Sequence, residues 1–150
     1  MKKYPPAPKI RTLMVINAAA KTAEQMGKTG RFEDDLTRAW LNWLHSDSNM
    51  PNGYQLAKFL EENMGYDIDV NMVNGLDKMK DHVESELSKS RKKWLEENNI
   101  EPPFPVSTRL NLGVIESISI HEAGCYEVIP YGQRKNASRL IIKFEDAILE

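Results

Sequence analysis

Three places in this chain bring together side chains whose types and spacing could do chemistry. The first is Gly27-Lys28-Thr29, which has the form of the end of a phosphate-binding loop. Such a loop needs glycine at both ends, so that successive backbone N–H groups converge on the anion. Thr22 stands where the first glycine belongs, helix formers fill the interval, and the triplet precedes a turn instead of opening a helix. A glycine helix stop accounts for it. The second place is Asp77, Asp81, His82 and Glu86. Asp77 and Asp81 are four apart, as are His82 and Glu86, so each pair shares a helix face. Two ligands from one helix do not complete a metal site, and Lys78 and Lys80 sit among them; a solvated face is expected. The histidines, His45, His82 and His121, share no metal-ligand spacing. The third place is His121, Glu122 and Cys125, where a thiol, an imidazole and a carboxylate meet in one turn. A thiolate nucleophile needs an adjacent base and a lowered pKa. Gly124-Cys125-Tyr126 reads better as a small buried residue entering a strand, since free cysteine is among the most buried residues. No catalytic residue, cofactor or metal ligand is assigned.

Cations gather at Lys89, Arg91, Lys92 and Lys93, at Arg134, Lys135 and Arg139, and at Lys2, Lys3, Lys9 and Arg11. Phosphate-backbone binding requires such groups on one face, with aromatic rings for stacking. Trp94, Tyr126 and Tyr131 are close enough in sequence to serve. Glu84, Glu86, Glu96 and Glu97 interleave with the first cluster, and pairing four residues apart accounts for them without a ligand. The expected partner- or nucleic-acid-binding set is Lys89, Arg91, Lys92, Lys93, Tyr131, Arg134, Lys135 and Arg139.

The chain as a whole exerts no strong field. Its 20 basic and 22 acidic residues give a formal charge of −2, so a DNA, RNA or membrane claim must rest on local patches. Hydrophobic residues at 41% and charged residues at 28% are ordinary for a globular protein of 150 residues. The single cysteine excludes an internal disulfide and fits a reducing compartment. Met1-Lys2-Lys3-Tyr4-Pro5-Pro6 begins like a signal segment, but Lys9, Arg11 and Asn17 interrupt the apolar run that should follow. Nothing approaches the ~20 apolar residues of a membrane span. The expected location is cytoplasmic, with no membrane partner.

The elements that must position these groups change character near residue 100. Upstream, apolar residues recur at helical spacing; downstream they alternate or cluster in short β-branched runs. Between them, Pro102, Pro103 and Pro105 are incompatible with a helix interior. The expected fold is α+β: an extended basic arm over 1–8, a helical body of about four helices over 9–100, a proline hinge over 101–107, and a small antiparallel β module over 108–150, either an SH3-like barrel or a curled sheet. Lys9–Met26 is read as a helix stopped by Gly27, although Leu13-Met14-Val15-Ile16 alone also fits a buried strand. Phe32–His45 carries an aromatic face of Phe32, Leu36, Ala39, Trp40 and Trp43. The residues 46–53 form a turn, and Tyr54–Asn63 makes a third helix ended by Gly65. Asp69 should cap a long fourth helix running to about Asn98. In the β module, Leu110, Leu112, Val114, Ile118 and Ile120 are read as one face, with a bulge at Gly113. Tyr126, Val128 and Pro130 form a second strand, 131–136 a loop, and Leu140, Ile142 and Phe144 a third.

Pro105-Val106-Ser107-Thr108-Arg109-Leu110, Gly113-Val114-Ile115, Tyr126-Glu127-Val128 and the run 141–147 are similar to small SH3-like barrels, which often enter through a proline, a small residue and an arginine and carry a Gly-Val-Ile turn. That resemblance covers under a third of the chain and implies an add-on module that binds protein, RNA or DNA. A helical body with a β appendage also resembles accessory proteins of phages and mobile elements. The expected function is a non-enzymatic interaction protein that occupies a macromolecular partner, in one concrete version a phage-type inhibitor of a host defence complex such as CRISPR–Cas. The alternative is a nucleic-acid-binding regulator using the basic clusters, with Tyr54–Asn63 and the Asp69 helix as a helix-turn-helix variant. Acidic Asp67 and Asp69 at that entrance oppose phosphate. A small enzyme built on Cys125 is the third class. Open strand edges also make a homodimer an expected outcome.

Overall fold

The computed structural model describes residues 4–46, 50–134 and 138–150, with side chains left aside at 44–46. Lys2, Lys3, the middle of the 46–53 turn, the His45 side chain, Lys135 and Asn136 fall outside it. The elements are α1 (Thr12–Met26), α2 (Arg31–Ser46), α3 (Gly53–Met64), α4 (Val70–Asp77), α5 (Met79–Glu97), β1 (Gly113–Ile118), β2 (Cys125–Pro130) and β3 (Leu140–Lys143), followed by a 3-10 turn at Phe144–Asp146. The fold is α+β, helical first and β last, as the residue pattern predicts. By contacts it divides into two compact units, Lys9–Leu87 and Ser88–Glu150, the second joined by the arm through Pro8. The division falls inside α5.

In the helical unit, the ends of the helices follow their local chemistry. Gly27 and Gly65 close α1 and α3 in the left-handed conformation, at φ 70 and 74. Asn52 and Gln55 form a reciprocal capping box at the start of α3, and the Asp69 carboxylate accepts from Met72 N–H at 2.7 Å at the start of α4. Val15, Leu36, Trp40, Leu56, Leu60 and Leu76 are buried at the centre. Each such side chain contributes about 1.5–3 kcal/mol on burial. The predicted aromatic face of α2 is buried at Phe32, Leu36, Ala39 and Trp40 and half-buried at Trp43. Tyr66 stands edge-on to Phe32, 5.5 Å between centroids, and its hydroxyl donates to the buried Asp35 carboxylate. Residues 12–17 are helical, which decides the helix-or-strand ambiguity of that run.

The long fourth helix is interrupted once. Lys78 N–H bonds back three residues to Gly75 O, closing α4, and α5 restarts at Met79. The apolar stripe passes through the break undisturbed, since Met72, Leu76, Met79 and Val83 are all buried. Tertiary packing therefore preserves the face while the backbone shifts phase.

In the C-terminal unit the sheet is antiparallel, ordered β1-β2-β3, and open, so the closed barrel is not formed. Its core is Leu110, Ile115, Tyr126, Val128 and Ile142, with Phe104, Phe144 and Ala147 packed against it. Phe104 shows that the proline segment is part of this core. The Tyr126 hydroxyl donates to Phe104 O at 2.9 Å and accepts from Phe104 N–H at 2.8 Å, fastening the segment to β2.

The expected β1 face is corrected. Ile115 pairs with Val128 but Ser117 pairs with Glu127, so the extra residue of a bulge is Glu116, and Gly113 lies in regular register opposite Pro130. A bulge shifts side-chain parity. Ile115 and Ile118 therefore share the inner face with Tyr126 and Val128, while Val114 lies on the outer one with Ile129 and Ile141. Leu112 and Ile120, expected inside, are exposed, Ile120 by 88%.

Candidate functional site

Helix α5 sorts its cations by side. Lys89, Lys92 and Lys93 are exposed, whereas Arg91 is 8% exposed and turns inward. Its Nε donates to Ala123 O at 2.8 Å and its Nη2 to Gly124 O at 2.9 Å. The Glu145 carboxylate accepts from both terminal nitrogens, at 2.7 and 3.1 Å. A planar guanidinium suits this bidentate grip. The turn it reaches has Gly124 at φ 70, and a Cβ there would stand 3.0 Å from Arg91 Nη2 and 2.8 Å from Leu95. Arg91 thus ties the C-terminal part of α5 to the β1–β2 turn and to the 3-10 turn, as a structural anchor.

Other cations also meet carboxylates. Lys93 faces Glu97 at 3.7 Å, and Arg139 faces Glu116, the bulge residue, at 2.8 Å. Arg109 pairs with Glu150, which holds the Arg109 guanidinium above and the Glu150 carboxyl below their ordinary pKa ranges through that hydrogen bond. Tyr131 stacks under Arg109, 5.1 Å from guanidinium to ring centroid, and its hydroxyl donates to Leu110 O at 2.7 Å. Arg134 is exposed, and Lys135 lies outside the described residues. Within the expected binding set, Arg91, Lys93 and Arg139 are therefore engaged by carboxylates.

The possible reactive turn does not assemble either. His121 is exposed, its backbone N–H bonded to Ser119 Oγ, while Cys125 is buried with its thiol 3.6 Å from Ala123 O. Burial pushes the Cys125 thiol above its ordinary pKa, with the nearby Arg91 charge opposing, so the thiolate is disfavoured. No group of three metal-ligating side chains occurs among the described residues. Nor does any helix among them have the length and apolarity to cross a membrane.

No family model, curated protein or solved structure matches this chain. Its own geometry is what distinguishes one surface from another.

The two edges of the sheet differ. Along β1, the segment 107–110 supplies backbone partners: Ser107 N–H bonds Ile115 O, Ile115 N–H bonds Thr108 O, and Leu110 N–H bonds Gly113 O, at 2.8, 3.0 and 2.7 Å. Along β3 no described strand lies outside. Phe144 N–H bonds Gly124 O at 2.9 Å. Antiparallel alternation then turns the N–H and C=O groups of Ile142 and Leu140 toward β2 and those of Ile141 and Lys143 outward. Beside these unpaired groups, the Ile141 side chain is 44% exposed on the outer face and Leu140 38% exposed on the inner one. Open strand edges are expected from the sequence, but which strand carries one is not. The pairing order β1-β2-β3 is what places β3 at the edge.

Proposed function

We propose that this chain is a non-enzymatic protein-binding protein whose C-terminal unit receives an extended segment of a partner at the open edge of β3. The observation that carries this reading is the row of outward backbone groups at Ile141 and Lys143, flanked by exposed Leu140 and Ile141. A partner strand would add main-chain hydrogen bonds there and use those apolar side chains for selectivity. The burial of Cys125 and the dispersal of His121 support the non-enzymatic class. The pairing of Arg91, Lys93, Arg109 and Arg139 with carboxylates makes nucleic acid the less supported partner. Support reaches the class of surface-binding protein; an inhibitor of a host defence complex such as CRISPR–Cas is one member of it.

The decisive variant is Lys143→Pro. Lys143 has φ −64 and ψ 148, which proline adopts without strain, and its N–H points away from β2. The substitution removes an outward donor and places a ring on the edge. Stability should change by less than about 1 kcal/mol. Affinity capture from nuclease-treated and untreated bacterial lysate should recover a protein with the wild type in both conditions and lose it with Lys143→Pro. Equal recovery by the two chains, or a partner that disappears with nuclease, would defeat the reading.

A further inference from the structure

Trp94, on α5, carries a contact that the β3 edge does not use. Its indole Nε1–H donates to the carbonyl of Pro5 at 3.0 Å, and the Arg91 guanidinium lies over the ring, 5.5 Å from its centroid. Pro5 comes from Tyr4-Pro5-Pro6-Ala7-Pro8, three prolines in five positions. By contacts this arm belongs with the C-terminal unit, while the helix it leads into belongs to the other. Ala7 and Pro8 are half-buried; Tyr4, Pro5 and Pro6 are exposed.

Proline fixes φ near the polyproline II value and has no N–H to spend, so such a segment offers carbonyl acceptors on a stiff backbone. Aromatic-lined grooves read proline-rich ligands by exploiting that preformed backbone, and an indole N–H donating to one of its carbonyls fits such recognition. Little ordering entropy is lost, because the segment is already extended.

We propose that Trp94, backed by Arg91, is a receptor site for an extended proline-rich segment of a partner protein, and that the chain's own arm covers it as a displaceable strap. The arm itself shows which chemistry the site accepts. A neutral hydrogen bond joins it to the ring, and three of its five residues are exposed, a contact open to exchange. This site shares no residue with the β3 edge and stands or falls separately from it.

The test uses the full chain, labelled with ¹⁵N. The Trp94 indole signal is assigned by its disappearance in Trp94→Phe, since the chain has 3 tryptophans. A synthetic peptide spanning residues 4–9 is titrated into the wild type, into Pro5→Gly/Pro6→Gly, and into Trp94→Phe. A tethered segment has an effective concentration in the millimolar range. Against a peptide of ~100 μM affinity, the wild-type arm should weaken binding about tenfold relative to the glycine variant. The indole signal of the glycine variant should move saturably toward its wild-type position, and Trp94→Phe should abolish binding measured by peptide fluorescence anisotropy. Absence of saturable movement up to millimolar peptide would overturn the proposal. So would equal affinity in all three chains, or equal binding of a Gly-Ser peptide of the same length. A dimer in sedimentation that the glycine variant loses would assign the site to the arm of a second copy and overturn the partner assignment.

Discussion

Replacing Arg91 should destabilise the C-terminal unit more than any other single cation. The side chain is 10% exposed and Glu145 31% exposed. Arg91→Ala strands the Ala123 carbonyl, leaves the Gly124 carbonyl with only its bond from Phe144 N–H, and leaves Glu145 without its counter-charge. Breaking a fully buried pair by removing one partner costs about 3–5 kcal/mol. Glu145 and Ala123 can partly rehydrate, which lowers the expectation to about 2–3 kcal/mol. Arg91→Lys keeps the charge but not the fork, and should lose about 1–2 kcal/mol. The assay is urea denaturation followed by Tyr and Trp emission, with a cycle through Glu145→Ala and the double variant. The coupling should exceed about 1 kcal/mol, because the two side chains touch. A loss below about 1 kcal/mol for Arg91→Ala, or negligible coupling, would refute the anchor and return Arg91 to the pool of surface contacts.

Tyr126→Phe removes the hydroxyl that serves both Phe104 N–H and Phe104 O and should cost about 1–3 kcal/mol in the same assay; an unchanged midpoint would contradict the role of the proline segment in the core. His82 has its pKa lowered, by burial first and then by Lys21 and Lys78, with Asp81 opposing. The folded state then binds fewer protons than the unfolded one below pH ~6.5, so stability present above that pH declines as pH falls through the lowered value. His82→Gln should flatten the slope just below about pH 6.5, and an identical slope would discount the residue. Cys125, buried and raised in pKa, should react with iodoacetamide at neutral pH at least about a hundredfold more slowly than in urea, and rapid native labelling would reopen the thiolate question.

What the residues announce and what they conceal divide by distance along the chain. Gly27, Gly65 and Asp69 act on groups within a few positions, so α1, α3 and α4 end and begin where their sequence says. The order of helices, proline segment and strands is equally local. The ties of Arg91 are not legible in the sequence because its acceptors lie 32, 33 and 54 residues away, beyond any spacing rule. The face of β1 was misread because a bulge leaves no mark of its own: Val114-Ile115-Glu116-Ser117-Ile118 alternates acceptably either way, and only pairing to β2 selects one parity. The interruption at Lys78 is hidden because the apolar stripe continues across it. The β3 edge is a property of topology, which no single strand contains.

Glu116 is, in effect, a spare rung. If it were excised, Ile115 and Ser117 would still face Val128 and Glu127 in unbroken succession, and the inner layer of the sheet would keep its membership. What would vanish is the ion pair of Glu116 with Arg139 on the approach to β3. The chain can therefore shed one residue at this point and keep the same inward set, while the approach to the exposed edge loses the carboxylate that holds Arg139.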